Sequence, residues 1–289
     1  MTGHSERTAA ISGSSGYLGG VIGDRLRAEG WEIVNLVRRV NGDDCRRFVL
    51  GLPVQINLLD GVDLLVHCAY DMTLRRRADV WRVNVDGSRR LLELASAIGV
   101  GRVVVLSSMS AFDGTTQLYG QAKLQIEAYA QEIGACSVRP GLVYGPRAGG
   151  MAGTLSRLAR LPVVPLVGAS SYQFTVHEDD FADAISALVA AEHVPTGPIG
   201  IANPLPVSFR QILDRLAREQ GRQCRFLRVD WRLVWIALLV AERVPLRQPI
   251  RADSLLGLVH PAPLVPSLDV IEALGIQFRR FGQPVPPKS

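Results

Sequence analysis

The sequence has no long hydrophobic run. Its most apolar stretch, Leu233 to Ala241, reads LVWIALLVA, far short of the ~20 residues that a membrane span needs. We read it as a buried or interfacial helix. Peripheral contact with a membrane surface is the lesser alternative, and no membrane partner is expected. Cysteine is scarce: Cys45, Cys68, Cys136 and Cys224 stand far apart and make no metal-type pair. No metal site is therefore expected, and a reduced, cytoplasmic location is the default expectation. Met1 to Thr8 is polar and lacks the apolar core of a signal peptide. No basic stretch is interleaved with aromatic residues, so nucleic acid is not an expected partner. There is no internal repeat and no low-complexity tract.

What is present is an ordinary globular composition. The chain has 289 residues, 47% of them hydrophobic and 20% charged. That is enough for one large α/β domain, or a domain with a smaller lobe. The formal net charge is +5. The basic residues fall in short clusters such as Arg75-Arg76-Arg77, which read first as solvated surface. A mildly basic surface also suits an anionic, phosphate-bearing ligand.

The first half alternates apolar runs with helical patterns, the mark of parallel βαβ units. Strands are expected at Thr8–Ser12, Trp31–Val37, Asp63–Cys68, Arg102–Leu106 and Ala135–Arg139. Helices are expected at Gly19–Glu29, Val80–Ile98 and Tyr119–Glu132. After about Gly145 the texture changes, with more Gly and Pro. We expect a Rossmann domain over 1–145 and mainly a substrate-binding lobe over 146–289. The helix Asp179–Ala191 and the run Ile199–Ala202 place 179–203 back with the first domain.

The first strand runs into Gly13-Ser14-Ser15-Gly16-Tyr17-Leu18-Gly19, then a helix. The first glycine permits a tight turn, the second lets backbone approach a pyrophosphate, and the third lets helix and strand pack closely. The N–H groups at the helix start would then face phosphates, with the helix dipole in support. A plain turn is the alternative, but the strand–loop–helix context favours a dinucleotide. The second strand ends Leu36-Val37-Arg38-Arg39. An NAD binder usually has an acid there to hold the adenosine ribose. Val37 takes that place, and Arg38 and Arg39 can pair with a 2′-phosphate. NADP(H) is therefore expected over NAD(H), although NAD(H) stays possible; surface charge is the plain alternative for both arginines.

Tyr119-Gly120-Gln121-Ala122-Lys123 is Tyr-x-x-x-Lys. On a helix, residues four apart share a face. The Lys123 ammonium could lower the Tyr119 pKa and fit it for proton exchange with a substrate oxygen. Lys123 can also reach a nicotinamide ribose. Strand Arg102–Leu106 ends in Ser107-Ser108, at the ligand crevice of a doubly wound sheet.

These segments, in this order, resemble the extended short-chain dehydrogenase/reductase family of the NAD-dependent epimerase/dehydratase type. The matching stretches are GSSGYLG, HCAY, the asparagine of WRVNVDGS, LSSMSAF, YGQAK, RPGLVYGP and FTVHEDDFADAI, over about 8–190. The resemblance implies an α/β fold: a Rossmann-type doubly wound parallel sheet with a smaller C-terminal substrate-binding lobe. It implies a catalytic set of Tyr119 as acid/base, Lys123 as its partner, Ser108 as the substrate-orienting serine and Asn84 as a brace. Phe112, where a tyrosine is common, selects Ser108 over Ser107. It implies that Gly13, Ser15, Gly16, Tyr17, Leu18, Gly19, Arg38, Arg39, Cys68, Ala69, Tyr70, Lys123, Pro140 and Val143 border the cofactor. It departs from the pattern in three places. Gln55-Ile56-Asn57 stands where an adenine-contacting Asp is usual, with too short a connection to the next strand for a full helix. Tyr70 replaces a small residue and, with Met72, narrows the site. No acidic pair lies next to Ser108, where Met109 and Ser110 follow, which argues against dehydration.

In the second half, Arg147-Ala148-Gly149-Gly150 reads as a mobile loop that could close over substrate. Asp179 and Asp180 read as helix caps, and His177 as structural. Arg210, Arg247 and Arg251 are candidates to grip a diphosphate. The expected function is an NADP(H)-dependent oxidoreductase or epimerase acting on a hydroxyl or keto carbon. The expected substrate is a nucleotide sugar or another keto or hydroxy compound, and a homodimer is open. The alternative is a dinucleotide-binding structural or sensing subunit with little catalysis.

Overall fold

In the computed structural model, residues 7–147, 149–168, 171–193, 195–243 and 251–283 are described. The glycine-rich turn links β1 (Thr8–Ser12) to α1 (Tyr17–Ala28), and the chain returns as β2 (Glu32–Val37). Then follow β3 (Cys45–Arg47) and β4 (Leu64–His67). A helical stretch comes next: α2 (Arg77–Val80), a π-helical turn at Trp81–Val85, and α3 (Asp86–Ala97). Strand β5 (Arg102–Leu106), helix α4 (Leu118–Glu132) and strand β6 (Cys136–Pro140) complete the succession.

These strands form a seven-stranded sheet in the order β3-β2-β1-β4-β5-β6-β11, where β11 is Ile199–Ile201. Every pairing in it is parallel. β1 and β4 are buried along their whole length, as parallel strands covered on both faces must be. The order reverses between β1 and β4. Ligands of open α/β sheets bind in the crevice outside the strands' carboxyl ends at such a reversal. That is where Gly13, Cys68 and Ser108 lie.

The remaining elements are β7 (Leu142–Tyr144), α5 (Gly150–Leu158), β8 (Val163–Val167), β9 (Tyr172–Gln173), β10 (Thr175–His177) and α6 (Glu178–Ala190). After β11 come β12 (Val207–Ser208), α7 (Phe209–Arg218), β13 (Arg225–Val229), α8 (Trp231–Ala241), α9 (Ala252–Val259) and α10 (Leu268–Ala273). One core lies under the sheet and joins β1, β4, β5 and β6 to α6 and Ile271 of α10. A second gathers α5, β8, α7 and α9 around Leu155, Phe209 and Leu213.

Several readings change at this level. The helix expected over Val80–Ile98 is interrupted by the π turn, whose wider winding carries Asn84. The third strand ends at Arg47, so Gln55–Asn57 lies in turns beyond it. No helix spans the connection to β4; Phe48, Leu58, Leu59 and Val62 cover the sheet instead. Asp179 and Asp180 do not cap α6, because the helix begins one residue earlier than its acids suggested. His177 is the N-cap and its Nδ1 accepts from the Asp179 N–H at 3.2 Å. Asp180 instead pairs with Arg279. Helix α8 is not buried. Trp231, Val234, Trp235 and Leu238 face the second core, while Leu233, Ile236 and Val240 face solvent.

Candidate active site

Gly13 has φ +73°, and a Cβ there would lie 2.9 Å from the Ala69 nitrogen. A Cβ on Gly19 would lie 3.0 Å from Ser14 Cα, inside van der Waals contact. The turn thus admits only glycine at these two places. Gly16 is the N-cap of α1 and supplies no capping side chain, and the first turn carries no acid. Such a helix start is a ready anion site. A glycine cradle facing an uncapped helix start fits the pyrophosphate of a dinucleotide. Ser15 is exposed on the loop, and Leu18 is half-buried. The Tyr17 hydroxyl donates to Glu178 Oε2 at 2.6 Å, and burial raises its pKa. Tyr17 therefore offers its ring, not its hydroxyl, to the loop.

Opposite the turn, Ser12 Oγ accepts from the N–H groups of Cys68 and Ala69 at 3.1 and 3.2 Å. His67 holds Ser12 in turn: its Nδ1 lies 2.7 Å from Ser12 Oγ and its Nε2 2.7 Å from Ser88 Oγ. Burial, reinforced by the Lys123 charge, pushes the His67 pKa down to about 3. The imidazole is thus a neutral strut between β1, β4 and α3. Sequence reasoning quoted HCAY but missed this role; two serines reached from one histidine were the only signal.

Arg38 and Arg39 follow β2 on the exposed surface, with no ion-pair partner among the described residues. Arg47, which sequence reasoning also missed, is exposed and stands in register with Val37 on the neighbouring strand. Three guanidinium groups therefore belong to the same end of β2 and β3.

The Tyr-x-x-x-Lys pair lies on α4, with Lys123 buried at 4% exposure. Lys123 Nζ donates to the Leu106 carbonyl at 2.6 Å. It lies 4.9 Å from the centre of the Tyr70 ring and 5.9 Å from that of Tyr119. The two tyrosine rings meet edge to face, 5.0 Å apart. Tyr70 thus does narrow the site, and it shares the ammonium with Tyr119 as a cation–π partner. Burial lowers the Lys123 pKa to about 8, against the opposing pull of Cys68 and Glu127. The expectation that Lys123 depresses the Tyr119 pKa is not met. Burial pushes Tyr119 up to about 12, and the Ser108 hydroxyl beside it pulls only part of the way back. Desolvation outweighs the Ser108 contact. Ser107 is the buried one of the serine pair at 3% exposure, and Ser108 is the one beside Tyr119.

Asn84 is fully buried in the π turn. Its Oδ1 accepts from the Asp71 N–H at 2.7 Å and its Nδ2 donates to the Asp71 carbonyl at 3.2 Å. That clamp fixes the segment carrying Tyr70. Pro140 closes β6, where its carbonyl accepts from Met109 N–H at 3.2 Å, and Val143 is buried on β7.

The second half of the chain contributes residues that local patterns hide. Asp253 on α9 accepts from the Leu118 and Tyr119 N–H groups at 2.8 and 3.2 Å, capping the start of α4. Arg251 donates to the carbonyls of Met72 and Leu74 at 2.6 and 2.9 Å. It is a strut of the site wall, not a free diphosphate ligand. Arg210 lies over the Phe226 ring, and Arg247 lies outside the described residues. Arg147, which opens the stretch read as a mobile loop, is anchored: it pairs with Asp24 at 2.6 Å and with Glu178 at 3.4 Å, and Gly150 already begins α5. Ala148 lies outside the described residues. No group of metal-ligating residues is found among the described residues, and no described helix is long and apolar enough to cross a membrane.

Comparison with known proteins agrees with this geometry. A ceramide reductase of Caulobacter vibrioides is 30% identical over 242 residues, covering 76% of this chain and 73% of that protein. An uncharacterized protein of Mycobacterium tuberculosis is 26% identical over 264 residues, and the chain spans only 26% of its length. The UDP-N-acetylglucosamine 4-epimerase of Bacillus cereus shares the fold, with a TM-score of 0.65 at 20% identity over 78% of this chain and 86% of that one. The description "NAD dependent epimerase/dehydratase family" matches residues 9–200. The chain belongs to the NAD-dependent epimerase/dehydratase family.

Proposed function

We propose that this protein is an NADP(H)-dependent reductase that converts a keto group to a hydroxyl, with Tyr119 as the proton donor. The observation that carries this reading is the geometry around α4: a buried Tyr119 with Ser108 beside it and Lys123 Nζ 5.9 Å from its ring centre. Its phenol is protonated at neutral pH, the form that gives a proton to a developing alkoxide. Arg38 and Arg39 after β2, which suit NADPH, favour reduction over oxidation. When bound, the nicotinamide supplies the hydride. Ser108 orients the carbonyl oxygen, and Tyr119 delivers the proton to it as negative charge develops. Lys123 places a cation near the phenolate that results. Asn84 and Asp253 act through others: one fixes the Tyr70 segment, the other the start of α4. Arg38, Arg39 and Arg47 support a 2′-phosphate at the adenosine end.

The substrate class is read from what the second half holds. Of the arginines named for a diphosphate, Arg251 is engaged with the Met72 and Leu74 carbonyls. The relative sharing most of its length with this chain is named for reduction of a ceramide, a lipid. We therefore assign the keto group to an apolar, lipid-like compound ahead of a nucleotide sugar. An intact Ser108, Tyr119 and Lys123 set argues against a purely structural or sensing role, which needs none of the three.

The test is NADPH consumption by the purified protein across long-chain keto compounds, small ketones and nucleotide sugars. Net consumption with a long-chain keto compound is the expected result. Interconversion of nucleotide sugars with no net consumption would replace the reading with epimerisation.

A further inference from the structure

We propose that the outer face of α8 is a docking surface for an anionic lipid bilayer. The inner face of this helix is accounted for by Trp231, Val234, Trp235 and Leu238, which pack on the second core. The outer face would carry polar residues on an ordinary surface helix. Here it carries Leu233 at 65% exposure, Ile236 at 52% and Val240 at 55%, with Ala237 between them. Arg232 is the helix's one charged residue and stands in its first turn; Arg243 follows its last turn. Arg75 reaches the same end, where it donates to the Glu242 carbonyl at 2.5 Å. None of these three arginines has a carboxylate partner among the described residues. Two acids flank the helix as well, Asp230 accepting from Arg232 N–H at 2.8 Å and Glu242 from Ala252 N–H at 2.8 Å, and the three arginines outnumber them.

An exposed aliphatic strip flanked by arginines can lie in the plane of a membrane interface with its apolar side at the acyl boundary. The strip inserts beside the acyl chains while the guanidinium groups meet anionic headgroups. A net charge of +5 adds to the attraction. A second copy of the chain is the competing occupant of the face, and the experiment below tests it.

The position also suits a bilayer. From the end of α8, Glu242 holds Ala252, Arg251 holds the Met72–Leu74 wall, and Asp253 holds the start of α4. The docking face is thus joined to both walls around Tyr119. The docking does not depend on the apolar-substrate reading above.

The experiment is flotation of the full chain with vesicles of phosphatidylcholine alone and of phosphatidylcholine mixed with phosphatidylglycerol. The wild type should float with the mixed vesicles and far less with the neutral ones. Ile236→Glu with Val240→Glu should weaken flotation by about tenfold or more. Arg232→Glu with Arg243→Glu should weaken it by at least about fivefold per arginine, the loss for removing one cation near an anionic surface. Both variants change exposed side chains, so thermal unfolding and NADPH affinity should match the wild type. Absence of wild-type flotation, or equal flotation of the apolar variant, overturns the proposal. So does a wild-type dimer in sedimentation velocity that the apolar variant converts to monomer. Flotation without NADPH consumption by any keto compound would refute the reaction and leave the docking standing.

Discussion

Tyr119→Phe should lower kcat/KM for carbonyl reduction by roughly 10²–10⁴, the usual contribution of a positioned general acid. The substitution removes one oxygen and leaves the ring. The edge-to-face contact with Tyr70 and the backbone bond to Asp253 both survive it. NADPH affinity should therefore stay within about twofold, since no hydrogen bond of the glycine cradle involves the phenol. Calorimetric titration and steady-state kinetics on the same preparation separate the two effects. Turnover near the wild-type rate would remove Tyr119 from the chemistry.

Replacing Arg38 and Arg39 together by Ala should weaken NADPH binding by roughly 10- to 100-fold, as expected for loss of charge-assisted bonds to a phosphate. NADH lacks the 2′-phosphate and should bind the variant about as well as the wild type. The argument comes from the end of β2, where Val37 stands in place of an acid and Arg47 lies in register beside it. Because Arg47 is retained, NADPH should keep part of its advantage; adding Arg47→Ala should remove most of it. A wild type that binds NADH more tightly than NADPH would contradict the assignment.

Much of the sheet was legible because parallel strands buried on both faces read as unbroken apolar runs. RVVVL became β5 and TAAIS became β1, residue for residue. The glycine turn was legible for a different reason: its backbone needs positive φ and close approach at fixed spacing. The site residues near those landmarks could be named from position along the chain. What stayed hidden acts across long sequence separations. Nothing local to Asp253 says that it caps a helix more than a hundred residues upstream. Nor does the patterning near Arg251 show that it braces Met72 and Leu74. The Tyr119 pKa was misjudged because four-residue spacing reports a shared helix face but not desolvation. The apolar run at 233–241 announced a helix, yet only packing revealed that half of it faces outward.

The central claim is acid catalysis by a protonated Tyr119 supported by the Lys123 cation. The pH dependence of kcat/KM for NADPH-driven reduction tests it most directly, because this quantity reports groups of the free enzyme. Lys123, lowered by burial to about 8, is charged below that pH and neutral above it, while Tyr119 keeps its proton up to about 12. The account predicts a plateau through neutral pH, then a fall of about tenfold per pH unit above about 8 as the ammonium is lost. A rate that rises with pH through the same range would mean that an ionised Tyr119 does the work, and would contradict it.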